Sequence, residues 1–209
     1  LIEPVAQLVW STKGNSALPN EDSTLVEFDE SNLLALNRFP GSDAVESGFR
    51  ANLGVSYLRV NPMGWTMGAT LGRVIREEDP LQFSAGSGLA GITSDWLAGF
   101  QIKAGSGLQL TSRFLVDDAL TVTKGEMRLG TVGKRYSIDL GYVQAVADPA
   151  ESRPLPTREL TIDSSIKLNA GWTANLAGRY DLEAERAARA GVGLTFRNEC
   201  LSVDVSLSR

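Results

Sequence analysis

Along this chain the hydrophobic positions recur at every second residue, the period of a strand with one face buried and not the period of a helix. The clearest stretch sets Leu201, Val203, Val205 and Leu207 against Ser202, Asp204, Ser206 and Ser208. Likewise Leu160, Ile162, Ile166 and Leu168 alternate with Thr161, Asp163, Lys167 and Asn169, and Trp172, Leu176, Tyr180 and Leu182 with Thr173, Arg179 and Asp181. Phe49, Leu53, Val55 and Tyr57 share one phase, and Arg50, Asn52, Gly54 and Ser56 the other. Read end to end, the pattern predicts about eleven strands, at roughly 1–10, 48–60, 65–76, 93–103, 107–117, 119–131, 134–147, 158–169, 172–183, 187–197 and 200–209. Within 119–131 the phase slips between Leu120 and Val122 on one side and Met127 and Leu129 on the other, which predicts a bulge near Gly125. The run Asp181–Ala190 has helix-forming composition, but strands flank it too closely for more than a turn.

Connection lengths are sorted. Tight turns at Asn61–Gly64, Ala104–Ser106, Val132–Lys134, Asn169–Gly171 and Arg197–Glu199 alternate with links at 11–47, 77–92 and 148–157 and shorter ones near 117–119 and 184–186. If consecutive strands are antiparallel neighbours, all five tight turns fall at one end of the sheet. An outer-membrane barrel sorts its loops this way, and a soluble sandwich has no reason to. Trp65 and Trp172 follow tight turns, while Trp10 and Trp96 border long links, as interfacial aromatic girdles would place them. The polar phase carries Arg50, Arg113, Asp139, Asp163, Lys167, Arg179 and Asp204. That face meets bulk water in a sandwich and lines a wet lumen in a large barrel. Period alone does not separate the two.

Composition narrows the chemistry. The chain has 209 residues, 20 Lys+Arg against 25 Asp+Glu, no His and one Cys. Without His there is no Ser-His or Cys-His nucleophile pair and no imidazole base. The usual zinc sites lack ligands. The acidic balance argues against nucleic acid as a partner, and no cofactor or enzyme activity is expected. No apolar run reaches the roughly 20 residues of a membrane helix. Leu1-Ile2-Glu3-Pro4 opens mid-pattern, so we expect a piece of a longer chain.

Residues 11–46 break the repeat. They hold seven acids and two bases, a local net of −5, and the remainder balances at 18 against 18. Leu25, Val26, Phe28, Leu33, Leu34, Leu36 and Phe39 make this loop too apolar for a solvated tail. It should fold against the sheet's inner face or a partner. Its carboxylates allow a calcium site, although no EF-hand-like spacing is present.

Within and around this loop a resemblance becomes specific. Pro19-Asn20-Glu21-Asp22-Ser23, Glu27-Phe28-Asp29, Asn32-Leu33, Asn37-Arg38-Phe39-Pro40-Gly41, Asp43, Gly48 and Arg50 resemble the signature of the LptD family, lipopolysaccharide-assembly proteins of Gram-negative outer membranes. Glu3-Pro4-Val5-Ala6-Gln7 extends the match upstream, and Glu199-Cys200 is similar to the family's late cysteine position. Ala44 stands where the family usually has Arg, and Cys200 precedes Leu201 where many members have a Cys pair.

The resemblance implies an all-β fold. It would be an antiparallel up-and-down meander of about eleven strands, a partial segment of a large outer-membrane β-barrel, with 1–209 as the C-terminal part of the barrel domain and 11–47 as a long loop. It implies lipopolysaccharide as cargo, a plug lipoprotein (LptE) as partner, and periplasmic bridge proteins reached through an N-terminal part. Arg50, Arg113, Lys167 and Arg179 become candidate lumen contacts. Cys200 would form a disulfide to the periplasmic part, in an oxidising compartment; the alternative is a buried free Cys that behaves as a small hydrophobe. A porin, an outer-membrane enzyme and a soluble all-β binding module are the alternatives.

Overall fold

A computed structural model describes residues 1–12 and 25–209. Eleven strands form one antiparallel sheet whose spatial order is the chain order. They are β1 (Ile2–Ser11), β2 (Gly48–Asn61), β3 (Trp65–Arg76), β4 (Trp96–Lys103), β5 (Leu108–Val116), β6 (Val122–Val132), β7 (Tyr136–Ala145), β8 (Thr157–Lys167), β9 (Trp172–Asp181), β10 (Arg186–Arg197) and β11 (Ser202–Ser208). The sheet is open, with β1 and β11 as its edges. Among the described residues the only helical pieces are short 3₁₀ turns at Ala85–Ser87 and Pro149–Glu151, and no helix is long and apolar enough to cross a membrane.

All five tight turns do lie at one end of the sheet and the longer connections at the other. Residues paired across strands share a face, so register carries each phase through the sheet. Arg50 pairs Arg76, Gly72 pairs Leu97, Leu97 pairs Leu115 and Arg113 pairs Glu126. Further along, Gly130 pairs Asp139, Asp139 pairs Asp163 and Thr195 pairs Asp204. This polar face is continuous from β1 to β11. The other face carries Leu8, Val55, Leu71, Leu140, Leu160, Leu176 and Val205, all exposed. All four Trp lie on it at strand ends.

Two sequence expectations need correction. The bulge in β6 is at Thr123, not near Gly125: Leu115 pairs Lys124 and Val116 pairs Val122, leaving Thr123 unpaired. Its Oγ1 donates to Asp95 at 2.5 Å, which pins the extra residue and returns Val122 to the apolar face. β4 begins at Trp96 and not near 93, because the Ser94 Oγ accepts the Val74 N–H at 2.9 Å and takes the place of a ladder bond. The Asp181–Ala190 run is a turn followed by strand, as expected, with the Asp181 carboxylate accepting the N–H groups of Glu183 and Ala184.

The core is on the polar face, not on the apolar one. It gathers Val26, Phe28, Leu33 and Phe39 of the long loop with Val74, Leu97 and Leu115 of the sheet and Leu89 of the β3–β4 connection.

Candidate functional site

The long loop seats on the polar face because the strands beneath it leave room. A side chain at Gly54 or Gly72 would meet Leu33, and at Gly72 also the Leu53 carbonyl at 2.9 Å. These two paired glycines form the bed for Leu33. Asp29 shapes the preceding turn: its Oδ1 accepts from the Ser31 N–H at 2.8 Å and the Asn32 N–H at 3.1 Å. The Asn32 side chain accepts the Asp29 N–H at 3.0 Å and donates to the Glu27 carbonyl. An Asx turn of this kind needs those residue types at that spacing.

One buried carboxylate fixes the loop's second half. Glu46 accepts Arg38 at 2.5 Å and Arg76 at 3.0 Å, with Arg50 at 3.6 Å, and its side chain is fully buried. Arg38 also donates to the Leu33 carbonyl at 2.6 Å and to Asn52 at 2.9 Å. Arg50 donates to the Leu36 carbonyl, and Arg76 to the Leu89 carbonyl at 3.0 Å. The cluster therefore ties loop, β2, β3 and the β3–β4 connection together, and holds two more positive charges than negative. Burial lowers the pKa of the Arg38 guanidinium, and Glu46 opposes that shift. Arg38 lies 5.9 Å from the Phe28 ring centroid, Phe39 stacks on Phe83 at 5.3 Å, and Arg76 covers Phe83.

A second clamp is half-exposed. Arg113 on β5 holds Glu30 with two bonds, at 2.6 and 2.9 Å. This pairing keeps the Glu30 carboxyl below its ordinary value, against the effect of burial. Between the loop and β5–β7 lies a cavity of about 350 Å³, lined by Phe28, Asp29, Arg113, Glu126, Val143 and Arg153 among others. The long connections also lock to one another. Gln82 bridges Ser47 and Val45, and Asp148 accepts the Gly86 N–H at 2.9 Å.

Of the motif residues read from the sequence, Phe28, Asp29, Asn32, Arg38 and Phe39 come together at this seat. Gly41 and Asp43 lie at its edge, Asp43 exposed. Pro19, Asn20, Glu21, Asp22 and Ser23 fall outside the described residues. Arg50 is a correction: it is on the polar face, but only 1% exposed, enclosed by the loop it holds, so it is no open lumen contact. Arg113 is half-exposed and already paired. Arg179 is exposed and makes two bonds to Glu159, at 2.8 and 2.7 Å. Lys167 is exposed at the tight-turn end, near Leu168. Cys200 is an exposed free thiol in the turn before β11. Among the described residues no group of three or more acids or thiols is placed to hold a metal.

Glu46, Asn52 and Arg76 escaped the sequence reading. The missed signal was register: a tight turn at Asn61–Gly64 places Arg50 opposite Arg76, and two like charges face to face call for an inserted anion.

Comparison with curated proteins gives no match. A family model described as LPS transport system D matches residues 1–172, which span β1 to β8, the long loop and the first residue of β9. Transport and assembly of lipopolysaccharide, and association with the bacterial outer membrane, characterise that family. With over four-fifths of its length inside the match, and the loop seat within that part, the chain belongs to the LptD family.

Proposed function

We propose that residues 1–209 are the C-terminal part of a transmembrane barrel domain, a length of wall in the translocon that delivers lipopolysaccharide to the outer leaflet. The apolar face meets acyl chains and the polar face lines a wet passage. The observation that carries this reading is the placement of the core. In a soluble sandwich the apolar faces of two sheets press together. Here one sheet leaves its apolar face bare, with a Trp at both ends of it, and packs its polar face instead. Strands of seven to fourteen residues suit a bilayer crossed at a tilt.

On this reading the tight turns are periplasmic and the long connections external. The seated loop narrows the external end of the passage, and its edge is where a plug lipoprotein of the LptE kind would meet the wall. Arg113, Lys167 and Arg179 line the passage, where the sugar-phosphate part of the lipid travels. Cys200, at the periplasmic end, pairs with a cysteine of the upstream periplasmic part that receives lipid from the bridge proteins. Cys200→Ser in the full-length protein then removes a long-range disulfide, read as a mobility change on non-reducing gels.

Fluorescence quenching tests the membrane placement. Full-length protein reconstituted with lipids brominated near the headgroup should have Trp10, Trp65, Trp96 and Trp172 quenched more strongly than with lipids brominated at mid-chain. Equal quenching, or none, rejects the reading. Co-purification of a small lipoprotein separates the translocon from a passive porin.

A further inference from the structure

The two ends of the sheet carry opposite charge. The connections at the long end, 12–47, 77–95, 117–121, 146–156 and 182–185, hold 17 acids and three bases. At the other end, within three residues of the five tight turns, there are six bases and two acids, Glu199 and Asp204. Arg59, Lys103, Lys134, Arg135, Lys167 and Arg197 are those bases, and none of them has a carboxylate partner among the described residues. Surface bases usually find acids nearby, and 17 of the 25 acids of this chain are at the far end.

Beside Arg135 the apolar face has a depression. It has a volume of about 410 Å³ and is lined by Arg135, Tyr136, Ile138, Ile166, Lys167 and Leu168. Tyr136, Ile166 and Leu168 are 46%, 49% and 50% exposed. Arg135 closes its turn end by donating to the carbonyls of Lys167 and Leu168 at 3.0 and 2.6 Å, which fixes the guanidinium plane. Its Nη1 makes no hydrogen bond among the described residues. Trp172 stands across the same turn, against Phe196. A shallow hydrocarbon depression that ends on an oriented guanidinium with no carboxylate partner among the described residues, next to Lys134 in sequence, matches a molecule with an acyl chain and an anionic head.

We propose that this end of the sheet docks an anionic glycerophospholipid. Its phosphate sits on Arg135 and Lys134, and one acyl chain lies in the groove between Tyr136 and Leu168. The site rests on the membrane reading above, since the groove is on the face assigned to lipid. It does not use the passage or the seated loop. Its consequence is an orientation device: the basic end seeks a phospholipid leaflet, and the acidic end is excluded from it.

The test uses full-length protein in vesicles of phosphatidylglycerol diluted in phosphatidylcholine. Lipid retained after detergent extraction is identified by mass spectrometry. Wild type should retain phosphatidylglycerol in preference to phosphatidylcholine. The pair Lys134→Gln with Arg135→Gln should retain about thirtyfold less of it, the factor carried by two bases at an anionic surface. Phosphatidylcholine retention should not change. Arg135→Lys should retain the preference, as should Arg158→Gln, which removes a base from the same face at the acidic end. Lys134→Gln alone, at a side chain with no hydrogen bond, should lose part of it, which guards against misfolding of the pair. Unchanged phosphatidylglycerol retention in both Lys134→Gln variants, or equal loss in Arg158→Gln, overturns the proposal. Protein that fails to float with vesicles of either lipid overturns the membrane reading and this site with it.

Discussion

The first and last parts of this sheet are built from the same alternation but hold together differently. Up to β5 the polar face is covered, and every buried apolar side chain among the described residues lies there. From Thr157 to Arg209 no residue is buried at all. Both parts have the ladder hydrogen bonds of an antiparallel meander. Only the first has a core, and the loop supplies half of it. The apolar side chains of the strands create no interior on their own, because in this sheet they face outward. An interior requires something apolar to be carried to the polar face, and residues 25–47 bring it.

The largest test of this contrast is Glu46→Gln. Removing the carboxylate leaves three buried guanidiniums without a counter-charge, a loss of about 3–5 kcal/mol. Proteolysis of the long loop should become fast, while Asp163→Asn on the uncovered part should leave the protection unchanged.

Glycine substitutions come next in size. A methyl at Gly72 meets Leu33 and the Leu53 carbonyl at 2.9 Å, so Gly72→Ala should cost about 1–3 kcal/mol. At Gly193, on the same face of the uncovered part, the nearest atom would be 3.5 Å away, an ordinary contact. Gly193→Ala should leave the thermal midpoint unchanged. Equal effects at both positions would erase the distinction.

A smaller effect comes from Glu30. Its folded pKa lies below the ordinary 4.5, through the Arg113 pairing. The stabilisation is therefore complete above that ordinary value and is lost as pH falls through the lower folded one. Both side chains are more than a third exposed, so screening limits it to less than about 1 kcal/mol. Glu30→Gln should abolish this acid-dependent step in loop protection. Smallest is Arg179→Ala, which breaks an exposed pair with Glu159. It should shift stability by about 0–0.5 kcal/mol, measured by the same thermal midpoint.

Much of the architecture was legible in the residues. Strict alternation in β8, β9 and β11 left one strand assignment open and no competing helix, and the tight turns fixed each hairpin's partners. The apolar residues among the acids of the loop said that it would pack. Which surface it packs on was not legible, because Leu33 meets Gly54 and Gly72 through contacts far apart in sequence. Arg50 looked like any polar-phase base on a strand. Only the loop, arriving from outside the repeat, turns it into a buried residue. The bulge was foreseen from the phase slip but misplaced by two residues, since what pins Thr123 is Asp95 from another connection.

The Glu46 cluster has a reach beyond the bonds it makes. Two uncompensated guanidinium charges are sealed behind the loop, away from water and mobile salt, where screening is weak. Guanidiniums do not lose their protons at any physiological pH. Arg50 and Arg76 thus bring two permanent positive charges beneath a loop whose own residues 11–46 net −5, and this buried pair offsets part of the segment's self-repulsion and holds it down on the strands.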